Sequence, residues 1–373
     1  SQFDYGKQGL PAVNEHLGYV KVRRAGIFQS DVEIFNPNPA KARLVAKDLP
    51  PDAYARWIVG QPRLGLRVAL PLNRPLDRQK RYSGREQAAL GVLKALAKKP
   101  AKASTEAAGS ASPSTLAIAW VKREQNPDVV LHLDQDQLWL LDSLGGWPPQ
   151  NGTIPPAITL GDDKGDLQKI VLSHLNTLAK TVNLLRLASE MKAESGEKSL
   201  EIRLEHKPGG HGDYQPLAGG NLHTLHPGDK VKITWKNISK KDYQDVTVLL
   251  VDGRYGITPI SREDYNQLAP GQEAFVEGKI NADPPGIERV IAIAVKGEKD
   301  APLSNFSYLA QAALPVQVQA KGVSAMRDSS EYEKRAFEDR LIAAGFGQEK
   351  TRGFEATKTG VASMEVLQWR VSQ

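Results

Sequence analysis

The stretch LHPGDKVKITWKNISKKDYQDVTVLLVDGRYGITPI, residues 225–260, decides the fold class. Pro227-Gly228 marks a turn. Val231, Ile233 and Trp235 then alternate with Lys230, Lys232 and Lys236. A period of two is the mark of a strand with one buried and one wet face. The polar residues 237–243 break the run. Residues 246–251, VTVLLV, are almost wholly apolar, which suits a strand covered on both faces. Asp252-Gly253 is a hairpin signal, and residues 255–260 read as the returning strand. The expectation is a β-meander in the middle of a sandwich. Nothing in its pattern points to bond-making chemistry.

On either side of this stretch, residues 198–373 read as one unit. Leu200, Ile202 and Leu204 alternate with Glu201, Arg203 and Glu205, giving its first strand. Residues 274–280 and 290–295 (VIAIAV) follow as strands, and residues 364–371 form the last one. Within 329–344, Tyr332, Ala336, Phe337 and Leu341 keep helical spacing, and Ser330 stands three residues before Glu333 as in a capping box. The unit is expected to be an Ig-like β-sandwich with an appended helix at 329–344.

Upstream, residues 115–197 read as an α+β unit. Strands are expected at 116–120, 129–133 and 137–141, and a long helix at 165–191. Leu167, Ile170, Val171, Leu175, Leu178, Val182, Leu185 and Leu187 keep the helix period, and Asp166 sits in the first turn. Residues 83–114 give a short helix and then KPAKASTEAAGSASPS, an Ala/Ser/Lys/Pro linker. Residues 1–82 read as a small β-rich domain with breaks at 36–39 and 49–52. The fold class is therefore mainly β with some α.

The chain has 373 residues, 40% hydrophobic and 25% charged, so it can bury sizeable cores. No apolar run is long enough to span a membrane. Cysteine is absent, which excludes disulfides, Cys-ligated zinc and a thiol nucleophile in this sequence. The net charge of +6 is uneven: residues 1–110 hold 19 Lys and Arg against 9 Asp and Glu, and the remainder 30 against 34. A solvated surface is favoured over nucleic-acid binding for the basic half.

Chemical motifs are few. The sequence has no phosphate loop, no GxSxG elbow and no HExxH. His206, His211, His223 and His226, with Asp213 and Asp229, offer metal-ligand residue types in a Gly- and Pro-rich loop, but nothing orients the imidazoles. Asp134, Asp136 and Asp142 around Trp139 lack the spacing of a calcium loop. Trp57, Trp120, Trp139, Trp147, Trp235 and Trp369 are dispersed and read as core or interface residues. No catalytic residue, metal ligand or cofactor is expected.

Three segments carry a resemblance. LGYVKVRRAGIFQSDVE (17–33) resembles a segment that follows the catalytic domain in bacterial caspase-like peptidases of the metacaspase or orthocaspase type. AIAW (117–120) through PDVVLHLDQDQLWLLD (127–142) is similar to their middle segment. HPGDKVKITW (226–235), together with 246–260, is similar to their C-terminal β-module. The segments occur in the family's order. The family's dyad pairs His with Cys, and a chain without Cys departs from that pattern, so no catalytic residue is carried over. The resemblance implies an accessory, non-catalytic region that supports, regulates or targets a separate His–Cys domain. The partners then expected are that catalytic domain or subunit and a protein substrate, with no nucleic acid and no membrane, and the cytoplasm is favoured. The candidate docking residues are Lys230, Lys232 and Lys236, with Arg78, Lys80 and Arg81 from the basic cluster. The competing reading is a stand-alone β-module that binds a ligand or partner without catalysis.

Overall fold

The computed structural model describes residues 19–25, 30–35, 64–77, 80–98, 118–142, 155–161, 164–194, 199–217, 222–261, 267–281, 286–299, 303–315, 317–318, 341, 344, 346 and 363–372. In chain order the elements are β1 (Tyr19–Ala25), β2 (Ser30–Phe35), β3 (Leu66–Ala69), α1 (Gly84–Lys98), β4 (Ile118–Val121), β5 (Val129–Asp134), β6 (Gln137–Asp142), β7 (Ala157–Thr159) and α2 (Lys164–Glu194). Then come β8 (Leu200–Lys207), β9 (Gln215–Pro216), β10 (His223–Leu225), β11 (Lys230–Asn237), β12 (Tyr243–Val251), β13 (Ile257–Pro259) and β14 (Gln267–Leu268). The last are β15 (Glu273–Lys279), β16 (Gly286–Gly297), β17 (Gln317–Val318) and β18 (Ser363–Val371). The protein is mainly β with some α. The helix expected at 329–344 lies almost wholly outside the described residues.

The two strands of the opening stretch do not pair as a meander. β11 lies in a four-stranded sheet ordered β15-β11-β8-β9. β12 lies in a six-stranded sheet ordered β10-β18-β16-β12-β13, with β14 also on β12. The polar break between them crosses from one sheet to the other. Asn237, fully buried, holds the crossing: its amide donates to the carbonyls of Asp242 and Leu268, both at 2.9 Å, and its side-chain oxygen accepts from Ser239 N at 2.9 Å. Only β12 and β13 form the expected hairpin.

Parity in β12 and β16 explains why the runs 246–251 and 290–295 are almost wholly apolar. Val246, Val248, Val290, Ala292 and Ala294 face the four-stranded sheet, where Leu204, Val231, Ile233 and Trp235 meet them. Leu249, Val251, Ile291 and Ile293 face the other way, onto Leu184, Leu187, Ala188 and Met191 of α2. A strand buried on both sides favours apolar side chains at most positions, and the buried exception in the VTVLLV run, Thr247, accepts from Phe306 N at 3.0 Å.

α2 joins this sandwich to a mixed sheet ordered β17-β7-β6-β5-β3-β4. In its first half Leu167, Val171, Leu175, Leu178 and Val182 pack with Leu66, Val68, Leu131 and Leu138 of that sheet and with Leu93 of α1. Leu184 comes two residues after Val182, a rotation of about 200°. The apolar stripe therefore changes sides, and the second half packs on the six-stranded sheet. The boundary expected at residue 82 separates β3 from its neighbours β4 and β5, with which it pairs in parallel.

Polar side chains of α2 fix its place. Asn183, fully buried, accepts from Gly65 N at 2.9 Å and donates to Ala344 O at 3.1 Å. Arg186 donates to Gly65 O and to Asp128, each at 2.6 Å. The Asp128 carboxylate also accepts from Arg67 N at 2.8 Å. The start of β3 is thus tied to the middle of the helix.

The tip of the β12–β13 hairpin closes the same junction. Tyr255 is buried among the residues of the mixed-sheet core, at φ 66°. A bulky side chain rarely holds a positive φ. Three features hold it here. Its carbonyl accepts from Thr181 Oγ1 at 2.9 Å and Gln311 Nε2 at 2.7 Å. Asp252 Oδ1 accepts from Arg254 N and Gly256 N around it. Burial of the ring supplies the rest.

Candidate interaction surface

Strand β11 sends Val231, Ile233 and Trp235 inward and Lys230, Lys232 and Lys236 outward. Its neighbours β8 and β15 run antiparallel to it, and their outward residues fall into rows across the sheet. One row is Glu273, Lys236, Glu201 and another is Glu277, Lys232, Glu205. Opposite charges directly across a pair of strands are mildly stabilising. Between these rows stand Phe275, Thr234 and Arg203. Arg203 reaches Glu273 at 2.8 Å and Glu201 at 3.6 Å. Such exposed ion pairs contribute about 0–1 kcal/mol each. The last row is Lys279, Lys230, Lys207, three lysines side by side.

Aromatic rings lie between the lysines. Phe275 is 54% exposed, which is rare for a side chain of that size. Lys232 Nζ stands 4.4 Å from its ring centroid. Lys207 Nζ stands 4.5 Å from the ring of Tyr214, and Lys232 Nζ 6.0 Å from the same ring. Burial pushes the Tyr214 hydroxyl up in pKa, and Glu277 and Glu205 push it further, so it stays protonated.

The second half of the expected docking set is not on this surface. Lys80 and Arg81 are exposed just before α1, on the mixed-sheet side of the molecule. α2 and the six-stranded sheet intervene between them and β11. Arg78 lies outside the described residues.

The histidine loop forms a turn clamp. Asp229, nearly buried, accepts from Gly209 N at 2.7 Å and His226 N at 2.9 Å. Burial alone would raise its pKa; those two backbone donors, with His226 and His206 nearby, hold it below the ordinary carboxylate range instead. His226 Nδ1 lies 2.8 Å from Ser372 Oγ. These three residues do not make a Ser-His-Asp triad, because Asp229 binds backbone N–H groups and does not orient the imidazole. Among the described residues no three His, Asp or Glu side chains group so as to hold a metal ion.

The other flagged residues disperse. Asp136 lies at the β5–β6 turn, where it meets Ser83 Oγ and stands 3.8 Å from Arg85 at the start of α1. Asp142 lies at the far end of the hairpin, opposite Val129. Trp235 and Trp369 are each 1% exposed, so neither belongs to an exposed aromatic cleft.

Two charged residues of β16, buried Arg289 and half-buried Glu288, lie outside the sequence expectation. Arg289 is 5% exposed in β16. Burial pushes its pKa down to about 9, against the pull of Asp142 and Tyr255. Glu288 accepts from Trp369 Nε1 at 2.8 Å, and burial pushes its pKa up to about 7, with Asp252 adding to the rise. A Glu-Arg pair just before VIAIAV was the available signal. Phe275 was signalled too, as an aromatic at the parity of Glu273 and Glu277.

No protein-family model matches the chain, and no curated protein matches it.

Proposed function

We propose that this chain is a non-catalytic, partner-binding region, and that its partner is the His–Cys catalytic domain of a bacterial caspase-like peptidase. The observation that carries the binding role is the outer face of the four-stranded sheet, where Phe275 stands exposed among registered lysines and carboxylates. Solvated faces rarely spend a phenylalanine in this way, whereas interface centres are enriched in aromatics with a charged rim. The three ordered segments that resemble the caspase-like family support a caspase-like partner, and with no cysteine in this sequence the thiol of a His–Cys dyad would have to come from that partner. The competing reading, a stand-alone module with an aromatic ligand cleft, lacks its tryptophans: both in this unit are interior.

A photocrosslinking residue in place of Phe275, introduced in the source cell, tests the reading. The expected product joins this chain to a polypeptide with a caspase-like His–Cys block, and Lys232→Glu abolishes it. Crosslinks solely to polypeptides without such a block would sink the proposal.

A further inference from the structure

We infer that the row Lys279–Lys230–Lys207 seats an acidic segment of a partner protein. The inference rests on the reading of this face as a docking surface and adds the chemistry of what docks. The register places the three lysines directly opposite one another on adjacent strands. Like charges at such positions repel and destabilise a sheet. The other two lysine rows of the same face avoid this, because Lys232 and Lys236 each stand between two glutamates. Among the described residues neither Lys230 nor Lys279 has a carboxylate within ion-pair distance. The row thus keeps a concentration of positive charge that a carboxylate-bearing partner would neutralise.

The surroundings select a peptide over a nucleic acid. Glu277 and Glu205 occupy the adjacent row and would repel a uniformly anionic polymer lying along β11. A peptide can place its acidic residues on one row only. Phe275 stands two rows further on, about 13 Å along the strand. An extended segment with acidic residues at one end and an apolar side chain about four residues later meets both features.

The test is fluorescence anisotropy of the full chain with a labelled oligo-glutamate peptide ending in phenylalanine, at low and high salt. Binding is expected, with a steep loss as salt rises. Lys230→Glu and Lys279→Glu are each expected to weaken it about tenfold while raising the melting temperature, because each turns repulsion into attraction. Lys279→Gln, on the exposed edge strand, reports the same loss if a charge reversal disturbs folding. Lys236→Glu, in a row already holding two glutamates, is expected to change binding less than twofold. Absence of peptide binding overturns the inference. So does equal weakening by Lys236→Glu, or tighter binding of an oligothymidylate of the same charge. Crosslinking of Phe275 to a His–Cys partner would still stand in any of those cases, so the two proposals fail separately.

Discussion

Glu288→Gln should make the protein more stable above neutral pH and leave it little changed in acid. The carboxyl of Glu288 is held against Trp369 inside the sandwich, with its pKa pushed up to about 7 by burial. A raised pKa means that the folded state keeps a proton the unfolded state releases. The stability this confers is complete below the unfolded value near 4.5 and is lost as pH rises through about 7. The interval between those values corresponds to roughly 3 kcal/mol. Glutamine is neutral, has the same length, and its oxygen can still accept from Trp369 Nε1. The pKa of about 7 already includes what the Trp369 bond does for the carboxylate, so the expected gain is about 3 kcal/mol near pH 8 and about zero near pH 4. Urea unfolding followed by tryptophan fluorescence at both pH values measures it. His132 and His174, whose pKa values burial lowers, act in the opposite sense and weaken the fold as pH falls below their ordinary range. They are common to both proteins and cancel in the difference. A variant-minus-parent stability that stays constant with pH would refute the reasoning.

Other perturbations probe the junctions. Asn183→Ala removes the partner of both Gly65 N and Ala344 O inside the protein, and chemical denaturation should show a loss of about 2–4 kcal/mol. Gly256→Ala would drive a methyl group into Asp252 Oδ2 and to 2.9 Å from Ala313 Cβ. Its cost should be about 1–3 kcal/mol, read as a fall in melting temperature. Gln135→Asn should stabilise by about 0.5 kcal/mol, because Gln135 and Asp136 both hold positive φ in a two-residue turn that favours asparagine at the first position.

What the sequence disclosed follows from what local pattern encodes. The alternation in β11 and the almost wholly apolar run 246–251 of β12 report how many faces of a strand are covered, and both readings agree with the packing. Pattern does not report which strand lies beside which. The crossing at Asn237 depends on carbonyls of Asp242 and Leu268, the latter thirty-one residues away, so a break that turns back looks the same as one that changes sheet. The leucines of α2 were legible as buried, yet their change of side between Val182 and Leu184 was absorbed into one broad stripe. The outward-facing lysines of β11 are legible from parity alone. Their division into two rows in which a lysine stands between glutamates and one row of lysines alone is a property of register, which no single strand contains.

The change of partners along α2 has a consequence for how the protein can be divided. A conventional linker can be severed and leave two intact bodies. Here the segment between the mixed sheet and the sandwich is itself a wall of both cores, with Leu175 filling one and Leu187 the other. Cleavage anywhere in the helix would leave each fragment with an open apolar wound, and the Tyr255 hairpin would lose the cavity that holds its ring. The two bodies fold, and are lost, as one piece.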